Sequence, residues 1–250
     1  MAIAHADPVE TVRVDGVDEI VIHGGRPPGW MQEHLRTPVA ALMRRLWDFT
    51  IEGLDNVPES GPVLFTPNHL AFIDSPFVMG LNGRRTLAVG KGEYMDSWKT
   101  KFTLPAMGMV PIDRSGGEAA TETLNRVAGF LRAGNAFLIY PEGTRSRDGN
   151  LHRGRTGAVR LAMRTGALIV PVGLIGTNEI QPIDTVLPSF GLPCTIRFGE
   201  PIDVGARSGG QNNRRILRSL TDELMFEISE LSEQVYSDTY GDEIPEAQKN

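Results

Sequence analysis

The sequence has one cysteine, Cys194, so it can form no internal disulfide and no cysteine-rich zinc site. A lone thiol fits a reducing compartment, and a cytosolic setting is the simplest expectation. Long apolar runs are also missing. The longest uncharged, mostly apolar stretch, Thr165–Asn178, carries three glycines, and a lone spanning helix needs about 20 apolar residues. The N-terminal MAIAHADPVE has no basic segment followed by an apolar one, so a secretory signal is not expected. There is no G-x-S-x-G nucleophile elbow, no G-x-G-x-x-G, no G-x-x-x-x-G-K-[ST] and no H-E-x-x-H. A covalent serine or cysteine mechanism therefore has no obvious nucleophile, and no dinucleotide or P-loop site is expected. The histidines (His5, His23, His34, His69 and His152) are scattered, and no third ligand stands at usable spacing to build a metal site.

Charge is limited too. The net value is −6, and residues 222–250 hold nine acids against Lys249 alone. That leaves residues 1–221 mildly basic, at +2. Nucleic acid is not an expected partner. An anionic small substrate or an anionic membrane surface fits the balance. Of the 25 basic residues only four are Lys. The planar guanidinium fork suits phosphate, although genomic base composition gives the same bias.

With 250 residues, 40% of them hydrophobic, the chain suits one large domain. Residues 1–34, rich in Gly and Pro at 24–29, read as an N-terminal arm. An amphipathic helix is expected over 35–50, starting at Pro38 with Thr37 as its cap. Candidate strands follow at Val63–Thr66, Thr86–Val89, Met109–Ile112, Ala136–Tyr140, Leu168–Leu174 and Thr195–Phe198. Helices are expected at Pro76–Asn82, Gly116–Ala133 (behind the capping box Ser115-x-x-Glu118), Gly157–Thr165 and Asn213–Tyr236. This alternation predicts an α/β fold: a mixed, largely parallel central sheet flanked by helices, with the amphipathic helix N-terminal to it. The single domain is placed at 35–237 and an acidic, frayed tail at 238–250.

Polar groups gather where strands end. Asn68-His69-Leu-Ala-Phe-Ile-Asp74 follows the strand PVLFTP and precedes a helix. On one continuous helix His69 and Asp74 would point to different faces. With the helix starting at Pro76, the connecting bend carries Asp74 back toward the ring. A carboxylate on one imidazole nitrogen fixes the tautomer and raises basicity at the other, which makes a general base without a nucleophile. The same spacing also suits an Asp that caps its helix beside an ordinary loop His. The strand GMVPID ends at Arg114. AFLIY runs into Pro141-Glu142-Gly143-Thr144-Arg145, with Glu142 placed to pair with an arginine or orient an acceptor. Arg147, His152, Arg153 and Arg155 thicken that basic patch. Lys91 closes another strand. If these strands run parallel, all four features share one rim, where open α/β sheets bind ligands. Ile169-Val-Pro-Val-Gly173 reads most simply as structural, and Cys194 as a buried thiol.

In this order and spacing, NHLAFID, GMVPIDR, YPEGTR and IVPVG resemble the four blocks of the glycerophospholipid acyltransferase family. They are most similar to those of the 1-acylglycerol-3-phosphate acyltransferases, over about residues 60–203. The resemblance implies that His69 is the catalytic base and Asp74 its orienting partner. It implies that Arg114 and Ile112 bind the glycerol phosphate, that Glu142, Gly143, Thr144 and Arg145 complete the acceptor site, and that Pro171 shapes the acyl site. Lys91 matches a basic position of the family. Pro111 and Tyr140 stand where aromatic residues, Phe at the latter, are commoner. The implied reaction moves a fatty acyl group from acyl-CoA or acyl-carrier protein to a hydroxyl of 1-acylglycerol 3-phosphate. No metal or redox cofactor is required. Rivals are glycerol 3-phosphate or another lysolipid as acceptor, a thioesterase, and a non-enzymatic binder of anionic lipid. Peripheral docking on the cytoplasmic face of a membrane is expected, through Trp30, Trp47 and the helix Pro38–Thr50. The oxyanion donors are expected among backbone N–H groups near the His69 loop.

Overall fold

A computed structural model of the chain describes residues 9–14, 17–22, 28–91, 98–112 and 118–243. Its elements in chain order are β1 (Val9–Val14), β2 (Val17–Ile22), α1 (Trp30–Leu46), β3 (Asp48–Glu52), β4 (Val63–Pro67), α2 (Asp74–Leu81), β5 (Thr86–Lys91), α3 (Trp98–Ala106) and β6 (Met109–Ile112). They continue with α4 (Glu118–Arg132), β7 (Ala136–Leu138), β8 (Leu151–His152), α5 (Gly157–Thr165), β9 (Leu168–Ile175), α6 (Thr177–Ile180), β10 (Pro193–Phe198), α7 (Val204–Arg207), α8 (Arg214–Ser232) and β11 (Tyr236–Ser237).

The central sheet has the order β3-β10-β9-β4-β7-β5-β6. Every neighbouring pair is parallel except β9 with β10, as the strand–helix alternation predicts. Apolar content sets each strand's place. In β4 every residue is buried and in β9 all but the two ends are, so both run through the middle, covered on both faces. Burial in β3 and β10 alternates with period two, as suits strands at one edge. Alternate side chains feed two cores. Leu64, Phe137 and Ile169 meet α4, α5 and α8 on one face. Val63, Phe65, Leu138 and Val170 meet α2 and Trp47 on the other.

The block IVPVG is structural. A Cβ at Gly173 would collide with the Leu231 backbone, so glycine lets the end of α8 lie directly on β9. Pro171 is buried in the same strand, and its carbonyl accepts from Gly199 N–H at 2.9 Å. It lines neither of the clefts beside His69, contrary to the acyl-site role the resemblance implies.

Three boundaries differ from expectation. First, β1 and β2 form an antiparallel hairpin inside the expected arm. Second, α1 begins at Trp30, behind Gly29 in the left-handed region at φ 73°, and carries Pro38 in its interior. Trp30 and Met31 pack against the core, and Gln32 bonds the Thr86 backbone through both amide atoms, which fixes the early start. The helix stops at Leu46, and Asp48–Glu52, partly expected as its last turn, is the edge strand beside β10. Third, the tail is docked as far as residue 243. β11 pairs with β8, Arg153 N–H donates to Thr239 O at 2.9 Å, and Asp242 takes the Arg155 guanidinium at 2.6 and 2.7 Å. Acids of the tail meet the basic loop, which a count of charge alone does not reveal.

Candidate active site

The site is built on the connection from β4 to α2. Asn68, fully buried, anchors it to β9. Its Oδ1 accepts Leu174 N–H at 2.7 Å and its Nδ2 donates to Leu174 O at 3.0 Å. His69 O accepts Ser146 N–H at 2.7 Å. The helix begins at Asp74, earlier than the Pro76 start expected from sequence, and the Asp74 side chain does not cap it. Instead Asp74 reaches back into the connection. Its Oδ2 receives Leu70 N–H at 2.7 Å, Ala71 N–H at 2.8 Å and His69 Nδ1–H at 2.9 Å. An ionised carboxylate only accepts, so the ring proton sits on Nδ1 and Nε2 carries the basic lone pair. Asp74 has no exposed surface, while the His69 side chain keeps 17% of its own. The base is thus open on one side and fixed on the other.

Tyr140 completes the setting. Its ring stacks on the imidazole at 3.6 Å between centroids and 13° between planes. Its hydroxyl shares a 2.7 Å hydrogen bond with Ser75 Oγ in the first turn of α2. The tyrosine where Phe is commoner therefore has a job that phenylalanine cannot do. Neither contact is visible from spacing; the one available signal is a polar-tipped ring closing an apolar strand.

Glu142 has a different role from the expected one. It is 1% exposed, pairs with no arginine among the described residues, and accepts His69 N–H at 3.0 Å and His152 N–H at 2.9 Å on its two oxygens. It ties the catalytic connection to the loop that follows β7. Burial pushes its carboxyl up to about 8, against the pull of the two N–H bonds and helped by the nearby charges of Asp74 and Asp148. The N–H groups of residues 69, 70 and 71 are all engaged by Glu142 and Asp74. These three are therefore not free to serve as the oxyanion donors expected near this loop.

Two clefts lie beside the catalytic connection and meet at Phe72, Ser75 and Met109. One, of about 420 Å³, is lined by His69, Gly143, Thr144, Arg145, Arg147 and Arg155 among others. Arg145 Nη1 donates to Ile183 O at 3.3 Å. Gly143 takes a left-handed φ of 77°, and a Cβ there would press on Arg155. The other cleft, of about 230 Å³, is almost wholly apolar and runs between α1, α2 and α3 past Leu35, Val39, Met43, Leu104 and Met107. Phe72, Ser75 and Met109 line both. Lys91 and Ile112 are paired residues at the ends of β5 and β6, on the same rim as the connections that leave β4 and β7. Their side chains, and Arg114 entirely, lie outside the described residues. Cys194 is buried, and burial pushes its thiol up to about 12, as suits a packing residue. Among the described residues no group of three or more His, Cys, Asp or Glu is placed to hold a metal ion.

Residues 48–175, half of the chain, match the family model described as Acyltransferase. The chain belongs to the acyltransferase family. It is 33% identical over 137 residues to the chloroplastic 1-acyl-sn-glycerol-3-phosphate acyltransferase LPAT1 of Arabidopsis thaliana, which covers 54% of this chain and 38% of that one. It is 27% identical over 154 residues to the 1-acyl-sn-glycerol-3-phosphate acyltransferase of Borreliella burgdorferi, covering 62% and 61%. The matched stretches thus span less than two thirds of either relative. Among solved structures, the 1-acyl-sn-glycerophosphate acyltransferase PlsC of Thermotoga maritima shares the fold, with a TM-score of 0.63, 21% identity and 80% of each chain covered.

Proposed function

We propose that this acyltransferase moves a fatty acyl group from a thioester, acyl-CoA or acyl-carrier protein, to the free hydroxyl of 1-acylglycerol 3-phosphate, giving phosphatidic acid. The observation that carries the reading is the position of His69: a ring oriented by Asp74, in an arginine-lined cleft that shares Phe72, Ser75 and Met109 with an apolar slot. The acyl chain lies in the slot. The phosphate lies among Arg145 and Arg155, with Thr144 beside them, and Arg114 and Lys91 are expected to approach from the same rim. Nε2 of His69 takes the hydroxyl proton as the oxygen attacks the thioester carbonyl. The tetrahedral intermediate collapses, the C–S bond breaks, and the proton passes from His69 to the departing thiolate. Atoms balance without a metal or a redox group. General-base help is worth about 10²–10⁴ in rate, and positioning about 7–11 kcal/mol where groups are well aligned.

Acceptor and product are lipids, so the protein is proposed to dock peripherally on the cytoplasmic face of a membrane. Trp47 is not the anchor expected from sequence: it is buried against Phe77 and Phe190, and its Nε1–H donates to Ser189 O at 2.7 Å. Trp30 packs on the core. The surface that fits is the mouth of the slot, where Leu35, Phe72 and Met107 are exposed, together with the exposed Leu42 of α1 and Phe102 of α3, and Arg44 and Arg45 close α1. Among the described residues no helix is long and apolar enough to cross a membrane.

Mass spectrometry of the products from purified protein, mixed acyl-CoAs and lysophosphatidic acid tests the reaction. Phosphatidic acid, with stoichiometric thiol release that needs the acceptor, is expected. Free fatty acid formed at the same rate without acceptor would replace the transferase by a hydrolase.

A further inference from the structure

A second basic concavity lies beside the first, and the proposed reaction leaves it unused. It has a volume of about 1060 Å³ and lies between α5 and α8. Six guanidiniums line it: Arg153, Arg155, Arg160, Arg214, Arg215 and Arg218. Three of them have acidic partners: Arg153 with Asp238, Arg155 with Asp242, and Arg218 with Asp222. The other three do not. Among the described residues no acid or carbonyl oxygen accepts a hydrogen bond from the guanidinium of Arg160, Arg214 or Arg215. Arg214 and Arg215 are moreover the first two residues of α8, behind the Asn213 cap, and no acid stands in that first turn. Cations at a helix N-terminus oppose the helix dipole. Three like charges without an acidic partner among the described residues thus stand around one cavity, and a bound polyanion would relieve their repulsion.

This concavity is continuous with the active-site cleft, since Arg155 and Gly157 line both. We propose that it holds the 3′-phosphoadenosine diphosphate end of coenzyme A, with the pantetheine arm passing over residues 155–157 to bring the thioester to His69. Guanidinium forks match phosphate oxygens two by two. Asp222 in the wall, with Asp238 and Asp242 paired beside it, repels the broad acidic face of a carrier protein. A compact polyphosphate in the hollow can reach the unpaired guanidiniums of Arg160, Arg214 and Arg215, while Asp222 is held by Arg218. The inference rests on the transferase reading for the arm's destination, but the nucleotide site itself is separately measurable.

The test uses the full chain and two donors with the same acyl group: acyl-CoA and acyl-pantetheine, which lacks the nucleotide. In the R160A/R214A/R215A triple variant the KM for acyl-CoA should rise at least about tenfold. The KM for lysophosphatidic acid and the kcat/KM with acyl-pantetheine should stay within about twofold of the parent. Adenosine 3′,5′-bisphosphate, titrated calorimetrically, should bind the parent protein and the His69→Ala variant alike, and bind the triple variant at least about tenfold more weakly. An unchanged KM for acyl-CoA, or equal losses with both donors, would overturn the assignment. So would a protein that ignores the bisphosphate and loses turnover with acyl-carrier protein instead. If the bisphosphate binds as predicted and no acyl transfer is seen, the site stands and the transferase reading falls. If transfer proceeds and the bisphosphate does not bind, the reverse holds. Circular dichroism of the triple variant identifies a folding defect, and the single variant R215A, at an exposed position, then gives the same comparison.

Discussion

The connection that bears His69 and the arginine surface beside it are opposite kinds of structure. Between Asn68 and Asp74 nearly every polar group has a partner: Asn68 on β9, three donors on one oxygen of Asp74, and Glu142 on the His69 backbone. Across the arginine surface, half of the guanidiniums in the outer cleft have no counter-ion among the described residues. The contrast separates two tasks. A base must hold its geometry through the reaction, so its surroundings are buried and densely hydrogen-bonded. A binding surface must still have bonds to give, so its charges are open and its shape is completed by the ligand. Removing a group from the first region should therefore lower kcat or stability, and removing one from the second should raise a KM.

The largest effect is expected at Asp74. Asp74→Asn keeps the shape but lets the amide donate to Nδ1, which selects the wrong tautomer. Turnover should fall by about 10³–10⁴-fold with acceptor affinity nearly unchanged, as measured by steady-state kinetics and lysophosphatidic acid binding. A proportional rise in acceptor KM with normal kcat would move Asp74 into the binding region. Next comes Glu142. Glu142→Ala orphans two N–H groups, each worth about 1–3 kcal/mol when buried, and denaturant midpoints should show the loss. The carboxyl also has a pH signature. Its value in the folded chain, about 8, stands above the ordinary carboxyl value of 4.5, so the folded state binds the proton more tightly than the unfolded one. Stability from this group is full below about 4.5 and declines as pH rises toward 8. The difference in melting temperature between wild type and Glu142→Gln should drift against the wild type across that interval. A constant difference would mean that Glu142 does not titrate there.

Smaller effects test the edges of the contrast. Arg145→Ala should raise the acceptor KM by roughly tenfold, the loss of a charge-assisted hydrogen bond, with a lesser change in kcat. Tyr140→Phe keeps the stack and loses the Ser75 bond, so kcat should fall only a few-fold, with Tyr140→Ala costing clearly more. If the two Tyr140 variants are equal, the ring contributes nothing to holding His69.

Much of this was legible in the sequence because it is local. The six apolar runs at 63–66 to 195–198 are all strands, since length, flanking turns and buried neighbours agree. The bend that joins His69 to Asp74 follows from a proline two residues beyond the aspartate. What was illegible depends on distant partners. Tyr140 and Ser75 are 65 residues apart. Glu142 holds backbone groups of residues 69 and 152, which leave no trace in side-chain spacing. The apolar slot is assembled from three helices, one of which, α3, has little amphipathic pattern and was not anticipated. Phe49 continued the period of α1 by chance and concealed an edge strand. The docking of residues 238–243 needed the arginines of another loop.

The central claim is that the imidazole of His69 removes the acceptor's proton. Its most direct test is His69→Ala, assayed for phosphatidic acid by mass spectrometry beside lysophosphatidic acid binding and the unfolding transition of the same preparation. Product formation should fall by at least about 10²-fold while binding and unfolding match the wild type. Product formed at the wild-type rate by the folded variant would contradict it.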